Sequence, residues 1–263
     1  MRWAATLVIC GALSGCGTLP NGRQWGSDAT FTPGWERVKT SAVDAARDPW
    51  VWAPLAGAAL FQIDDWDHRT ADWAQDHTPI FGSQRAAEDW SDDLRTASAL
   101  VHYATIAATP SGDSPSEWFL NKTRGTLVHV AAVSSTVFVT RSLKTSVDRE
   151  RPNGEGTESF PSGHTSASAV HTRLASRNLQ SIDMHKGTRT SLDVGLYALT
   201  IGTSWSRIEA GWHYPSDTLF GMALGNFLAS FFNDAFLGLE HEGANVGFAP
   251  IERGASLQFN VRF

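Results

Sequence analysis

Pro161-Ser162-Gly163-His164-Thr165-Ser166-Ala167-Ser168-Ala169-Val170 (residues 161–170) is the stretch whose reading decides the fold. Pro161-Ser162 marks a helix start, and the Ala/Ser/Val-rich run behind it predicts a helix over 162–179. Free amides at a helix N-terminus draw anions, and Gly163 lets a ligand approach the backbone closely. Ser162 reads as a helix cap that can also donate to an anion. His164 reads either as a proton donor to a leaving alkoxide or as a surface histidine beside a cap.

Two further blocks flank this one. Upstream stand Lys144 and, seven residues on, Arg151-Pro152. A continuous helix would place both cations on one face, but Asp148 and Pro152 predict that the helix ends between them. Downstream stand Ser206-Arg207, His213 and Asp217, with Pro215 predicting a helix whose first turn holds Asp217. Arginine offers a planar fork for phosphate oxygens and lysine a compact charge. An aspartate bonded to one ring nitrogen of His213 fixes its tautomer and leaves the other nitrogen free to attack. Singly, the blocks also read as a solvated basic patch, a plain cap and a structural His–Asp pair. Together they hold a nucleophile, an acid, an orienting carboxylate and three cations. That set suits phosphoryl transfer, where positioned charge does most of the catalysis.

Outward from the blocks, helical stretches alternate with polar breaks near 35–46, 50–63, 66–76, 84–109, 117–141, 190–206 and 216–236. The uncharged windows fall short of the ~20 apolar residues a membrane span needs, which favours buried helices of a bundle. Asp64-Asp65-Trp66-Asp67-His68, with Asp72 and His77, reads as an amphipathic helix with a charged outer face rather than a metal site. Eight of the eleven tryptophans lie between Trp25 and Trp118, and core filling is the simpler reading of them. His102, His129 and His171 have no partnering motif. Gly154-Glu155-Gly156 reads equally as a loop over the pocket or a linker. Asn245–Ile251 and the alternating run Leu257–Phe263 predict a C-terminal hairpin.

Residues 1–16, MRWAATLVICGALSGC, have a charged start, an apolar run and small residues before a cysteine, as an export signal does. Leu13-Ser14-Gly15-Cys16 resembles a bacterial lipobox, which implies acylation of Cys16 and a membrane anchor. Cys10 would leave with the signal, so a mature chain has no disulfide to rely on. Gly17 is not the aspartate associated with inner-membrane retention. The expected setting is the bacterial cell envelope, facing the periplasm, with the outer membrane favoured. A formal charge of −6 argues against a nucleic-acid partner. The expected organisation is a lipoprotein signal peptide (1–15), a tether (16–34), a helical phosphatase domain (35–240) and a hairpin extension (241–263).

The three blocks fill eleven specified positions in order. In this they resemble the signature of the type 2 phosphatidic acid phosphatase / vanadium haloperoxidase superfamily. The resemblance implies an all-α helical bundle in which the second block opens one helix and the third lies between the next two. It implies a phosphohistidine on His213, orientation by Asp217 and acid catalysis by His164. Lys144, Arg151, Ser162, Gly163 and Arg207 are implied to hold the phosphoryl oxygens, with no metal. A phosphorylated membrane lipid is the favoured substrate, because an anchor holds the enzyme beside lipid head groups, and a small phosphate ester is the other. Two rival readings are a haloperoxidase carrying vanadate on His213, where vanadate would otherwise only inhibit, and a non-catalytic envelope lipoprotein that binds lipid phosphate.

Overall fold

A computed structural model describes Leu19 and residues 22–239, 244–251 and 254–261. The signal segment, Cys16 and the start of the tether lie outside the described residues. Eight helices are described: α1 (Trp35–Arg47), α2 (Pro49–Leu60), α3 (Trp66–His77), α4 (Gln84–Ala108), α5 (Pro115–Val147), α6 (Gly163–Gln180), α7 (Lys186–Glu209) and α8 (Pro215–Phe232). A short π turn, Asn233–Leu237, extends α8. Strands β1 (Ala244–Ile251) and β2 (Gly254–Val261) pair antiparallel, Ala244 opposite Val261. The body of the protein is an all-α bundle, as the resemblance implied.

Helix α6 is the axis. From Ser168 to Leu179 every residue is buried, and α4, α5, α7 and α8 pack around it. Its sequence is mostly small and polar, so the partners come close and bond through hydroxyls. Ser98 of α4 meets Ser168 at 2.8 Å, Thr140 of α5 meets Ser166 at 3.0 Å, and Thr200 of α7 meets Thr172 at 2.7 Å. Gly221 and Gly225 on α8 allow the closest approach. A Cβ at Gly221 would stand 2.7 Å from the Ser162 carbonyl oxygen, and one at Gly225 2.5 Å from that of Ser166.

Charge is buried in the same axis. Arg173 is paired with Asp48, the N-cap of α2, and also donates to Tyr197 (3.2 Å) and Ser230 (3.1 Å). Arg177 is paired with Asp234. Desolvating such ions costs much of what their attraction returns, so the pairs fix register more than they add stability. His171, His102 and His129 form a buried chain, with Nδ1 to Nδ1 and Nε2 to Nδ1 contacts of 2.9 Å each. Burial pushes His129 down to about 3 and His171 to about 4, so the chain is neutral.

Three expectations need correction. The tether does not reach residue 34. Trp25 is fully buried against Ile106, Val128 and Leu237, and its indole N–H donates to Asn178 at 3.1 Å. Backbone bonds from Trp25 N–H to the Pro110 carbonyl and from Thr30 N–H to the Phe236 carbonyl, 2.8 Å each, help to dock the stretch. Second, six of the eight tryptophans from Trp25 to Trp118 do not fill the core: Trp35, Trp50, Trp52, Trp66, Trp73 and Trp90 are all at least 40% exposed. Third, α5 is not a buried helix. It runs 33 residues, is long and apolar enough to cross a membrane by length and composition, and exposes Phe119, Leu127, Val130 and Phe138. Counting only uncharged windows hid it, because Arg124 and Arg141 bracket the apolar stretch.

Candidate active site

The three blocks meet at one end of α6. Ser114 and Glu117 form a capping box that starts α5, and α5 stops at Val147, where Asp148 turns left-handed (φ 52°). Lys144 therefore sits in the last turn and Arg151 in the loop beyond, as the sequence indicated. The backbone of that loop is pinned. Asn153 N–H donates to the Gly211 carbonyl (3.0 Å), and Arg151 N–H donates to that of Gly156 (3.1 Å). Gly154 and Gly156 take positive φ (74° and 85°), so this segment is a closed turn beside Arg151 rather than a simple linker.

Ser162 caps α6 and is fully buried. Its hydroxyl oxygen accepts from the Thr165 hydroxyl (3.1 Å), and its own N–H donates to the Asp217 carbonyl (3.0 Å). That last bond joins the second block to the third. Gly163 is the first helical residue. A Cβ there would only touch Thr140 and Lys144 at 3.8–3.9 Å, so packing alone does not demand glycine. Arg207 lies in the last turn of α7, His213 in the loop after it and Asp217 in the first turn of α8.

His213 is nearly fully buried. Its Nδ1 donates to the Ser159 carbonyl at 2.5 Å, which leaves Nε2 as the lone-pair nitrogen. Here the geometry departs from the expected His–Asp bond: the Asp217 carboxylate stands 4.0 Å from Nδ1. Asp217 instead accepts from the Ser159 hydroxyl (2.6 Å) and the Tyr214 N–H (2.9 Å). It therefore reaches His213 through Ser159, whose carbonyl holds the ring. Loop residue Ser159 has no motif around it, so nothing in the sequence marked it.

Asp217 is itself held from behind. Arg149 donates to Asp217 (2.6 Å), to Ser216 (2.9 Å) and to Asp67 (2.7 Å), with its guanidinium 4.1 Å from the Tyr214 ring centroid. Asp67 also accepts from Ser216 N–H at 2.9 Å. The expected outer charged face of α3 is thus wrong at Asp67, which is buried along with Ala71 and Ala74 while Trp66 and Trp73 point outward. The 67/71/74 spacing of one acid and two alanines was the available signal, and the larger tryptophans masked it.

Cations crowd the front. Arg151 and Arg207 pack near the Trp212 ring at 4.6 and 5.2 Å, and the Nε of each is buried without a protein partner. Burial, with Arg151 and Arg207 nearby, pushes Lys144 down to about 8, despite opposing pulls from Glu158 and Asp217. Burial takes Arg207 down to about 10. Burial is the leading cause for both, and Arg151 adds to it, while Glu88 and Asp92 oppose the shift at Arg207; an incoming anion offsets the cost of burying these cations. Burial, then Arg207 and Lys144, hold His213 well below its ordinary value, so it is neutral. Burial and Arg207 push His164 to about 4 against an opposing hydrogen bond from Asp92. Both histidines feel Arg207, and His164 acts on His213, so the two rings share one site.

The family model of the PAP2 superfamily matches residues 125–237, which contain every motif position from Lys144 to Asp217. A search of curated proteins returned no match. Among solved structures, the chain resembles the crystal structure of the first transmembrane PAP2 type phosphatidylglycerolphosphate phosphatase from Bacillus subtilis. The TM-score is 0.53 at 17% identity, covering 73% of this chain and 94% of that one. At that identity the likeness is one of fold, and it agrees with the all-α bundle described above. Family model, fold and the convergence of the three blocks point the same way: residues 125–237 of this chain are similar to the PAP2 superfamily.

Proposed function

We propose that the protein is a metal-independent phosphatase that hydrolyses phosphate monoesters or pyrophosphates of membrane lipids through a phosphohistidine. The observation that carries this reading is His213, whose Nδ1 is tied to Ser159, leaving Nε2 as the lone-pair nitrogen, and whose ring feels the charges of Arg207 and Lys144. Nε2 attacks phosphorus and the ester P–O bond breaks. The departing oxygen takes a proton from His164. A water molecule then gives its proton back to His164, its oxygen attacks phosphorus, and the P–N bond breaks to release inorganic phosphate. The cations and the amides opening α6 hold the phosphoryl oxygens throughout, the task a metal performs in other phosphatases. The match of residues 125–237 to the PAP2 superfamily model supports that metal independence.

A lipid substrate fits the exposed tryptophans and the apolar outer face of α5, since Trp favours the boundary between water and lipid. The lipobox at Cys16 supports the same placement: an exported, anchored enzyme facing the periplasm, with the outer membrane favoured. The test is phosphate release from phosphatidic acid, phosphatidylglycerol phosphate, undecaprenyl pyrophosphate, lipid A phosphates and a soluble aryl phosphate, all in EDTA. Hydrolysis of one lipid phosphate well above the aryl ester is the expected outcome. Dependence on an added divalent ion would overturn the reading. So would peroxide-dependent halide oxidation with vanadate in place of hydrolysis.

The pH dependence follows from the same geometry. His164 must be protonated and His213 neutral, which gives a bell. In the free enzyme His164 is depressed to about 4, so kcat/KM falls as pH rises above that value. A bound phosphate dianion favours the imidazolium, so the alkaline limb of kcat lies at higher pH than that of kcat/KM. Initial rates from pH 4 to 9, corrected for the substrate's own ionisation near pH ~6, measure both limbs. Rates that do not change between pH 5 and 9 would contradict the acid–base roles.

A further inference from the structure

His164 lies 27% exposed at the mouth of the site, and its Nε2 is 3.0 Å from Asp92 Oδ1. Asp92 comes from α4, before any motif block and outside the residues that the family model matches. It is anchored by Arg95 one turn on, at 3.0 Å. The neighbouring Ser91 is fully buried and accepts from Arg207 at 3.1 Å. One turn of α4 thus touches both the candidate acid and a phosphate-holding arginine. Nδ1 of His164 has no hydrogen-bond partner among the described residues.

We propose that Asp92 is the positioning residue of the general acid: it holds Nε2–H of His164 and so makes Nδ1 the atom that gives its proton to the leaving oxygen. This rests on His164 being the acid of the proposed phosphatase. The arrangement mirrors that at His213. There a carbonyl fixes Nδ1 and frees Nε2 for attack, whereas here a carboxylate fixes Nε2 and frees Nδ1 for proton transfer. The choice of a carboxylate is physical. An acid must spend part of the cycle as imidazolium, and an anion stabilises that form, while the nucleophile must start neutral and needs only a neutral acceptor. The titratable and charged groups facing His164 are Asp92 and Arg95 from α4, Arg207 from α7 and the neutral His213 from the following loop; Asp92 alone among them is negative.

The step that breaks the ester bond is read by kcat/KM. For an alkyl phosphate, whose alcohol leaves poorly without a proton, Asp92→Asn lowers kcat/KM about 100-fold. For a nitrophenyl phosphate, whose phenolate leaves unaided, the loss is about threefold or less. Asp92→Glu recovers much of the alkyl rate. Equal losses on both esters would mean a structural role, and no loss on either would mean none; each overturns the proposal. Proton–nitrogen NMR of the His164 ring tests it without turnover. The wild type shows Nε2–H in the neutral form, and Asp92→Asn moves the ring's titration to lower pH. An unchanged titration overturns the proposal whatever the substrate. Absence of hydrolysis by the wild type would instead overturn the proposed function, with the NMR result still deciding the Asp92–His164 contact.

Discussion

His213→Asn lowers kcat by about 10⁴-fold or more on every substrate the wild type hydrolyses, with a folded protein whose thermal midpoint stays within a few degrees. Asparagine is the informative substitution because its amide can take the place of Nδ1–H and keep the bond to the Ser159 carbonyl. What disappears is Nε2, the proposed attacking atom. Acid quenching of the wild type during turnover traps phosphate on the protein, and the variant traps none. A variant that retained a tenth of wild-type activity would show that histidine is not the nucleophile. Neutral His213 and three cations would then describe a binding site for phosphate, the non-catalytic reading raised by the sequence.

The second large effect falls on two residues that no motif contains. Gly225→Ala puts a methyl group 2.5 Å from the Ser166 carbonyl oxygen, 2.7 Å from Ala169 Cβ and 2.8 Å from the Val170 nitrogen. None of these is the far end of a flexible side chain, so α6 and α8 must separate. The expected cost is about 1–3 kcal/mol in urea denaturation. Gly221→Ala meets the Ser162 carbonyl at 2.7 Å, close to the bond from Ser162 N–H to the Asp217 carbonyl. A displacement there of even ~1 Å misaligns the phosphate site and lowers kcat/KM about 100-fold. Gly195→Ala is the control. It lies in α7 with nothing within 4 Å, so alanine is neutral or stabilises by up to about 1 kcal/mol. If Gly225→Ala proved as harmless as Gly195→Ala, close approach of α6 and α8 would not be what sets the site.

Much of the helical layout was legible because each boundary carries local chemistry. Ser162 caps α6, Pro215 opens α8, and Asp148 ends α5 where a break was expected between Lys144 and Arg151. The site was legible for a related reason. Two histidines, an aspartate and three cations of fixed type at fixed spacings form a pattern that can be read along the chain. The surroundings of the site were not legible in this way. Arg149 stands in no motif, and Asp67 read as part of a charged outer face, until tertiary contacts joined Arg149 to Asp217, 68 residues on, and Asp67 to Arg149 and Ser216. The exposed tryptophans and the outer face of α5 went astray together, since large apolar residues were assigned to a core that small residues mostly fill, while Trp25, read as tether, is a core residue.

By itself the sequence determined most of the helical segments and which side chains carry the chemistry that the proposed reaction needs. Those properties reside in short-range capping and in the chemistry of single residues. Only the tertiary structure decided how the parts are held. A carbonyl of Ser159, not the Asp217 carboxylate, bonds the His213 ring, Arg149 and Asp67 brace that carboxylate, and Asp92 meets His164. Such contacts depend on how closely helices approach, and in this protein glycine, alanine and serine at helix crossings set that distance, carrying no chemical mark along the chain.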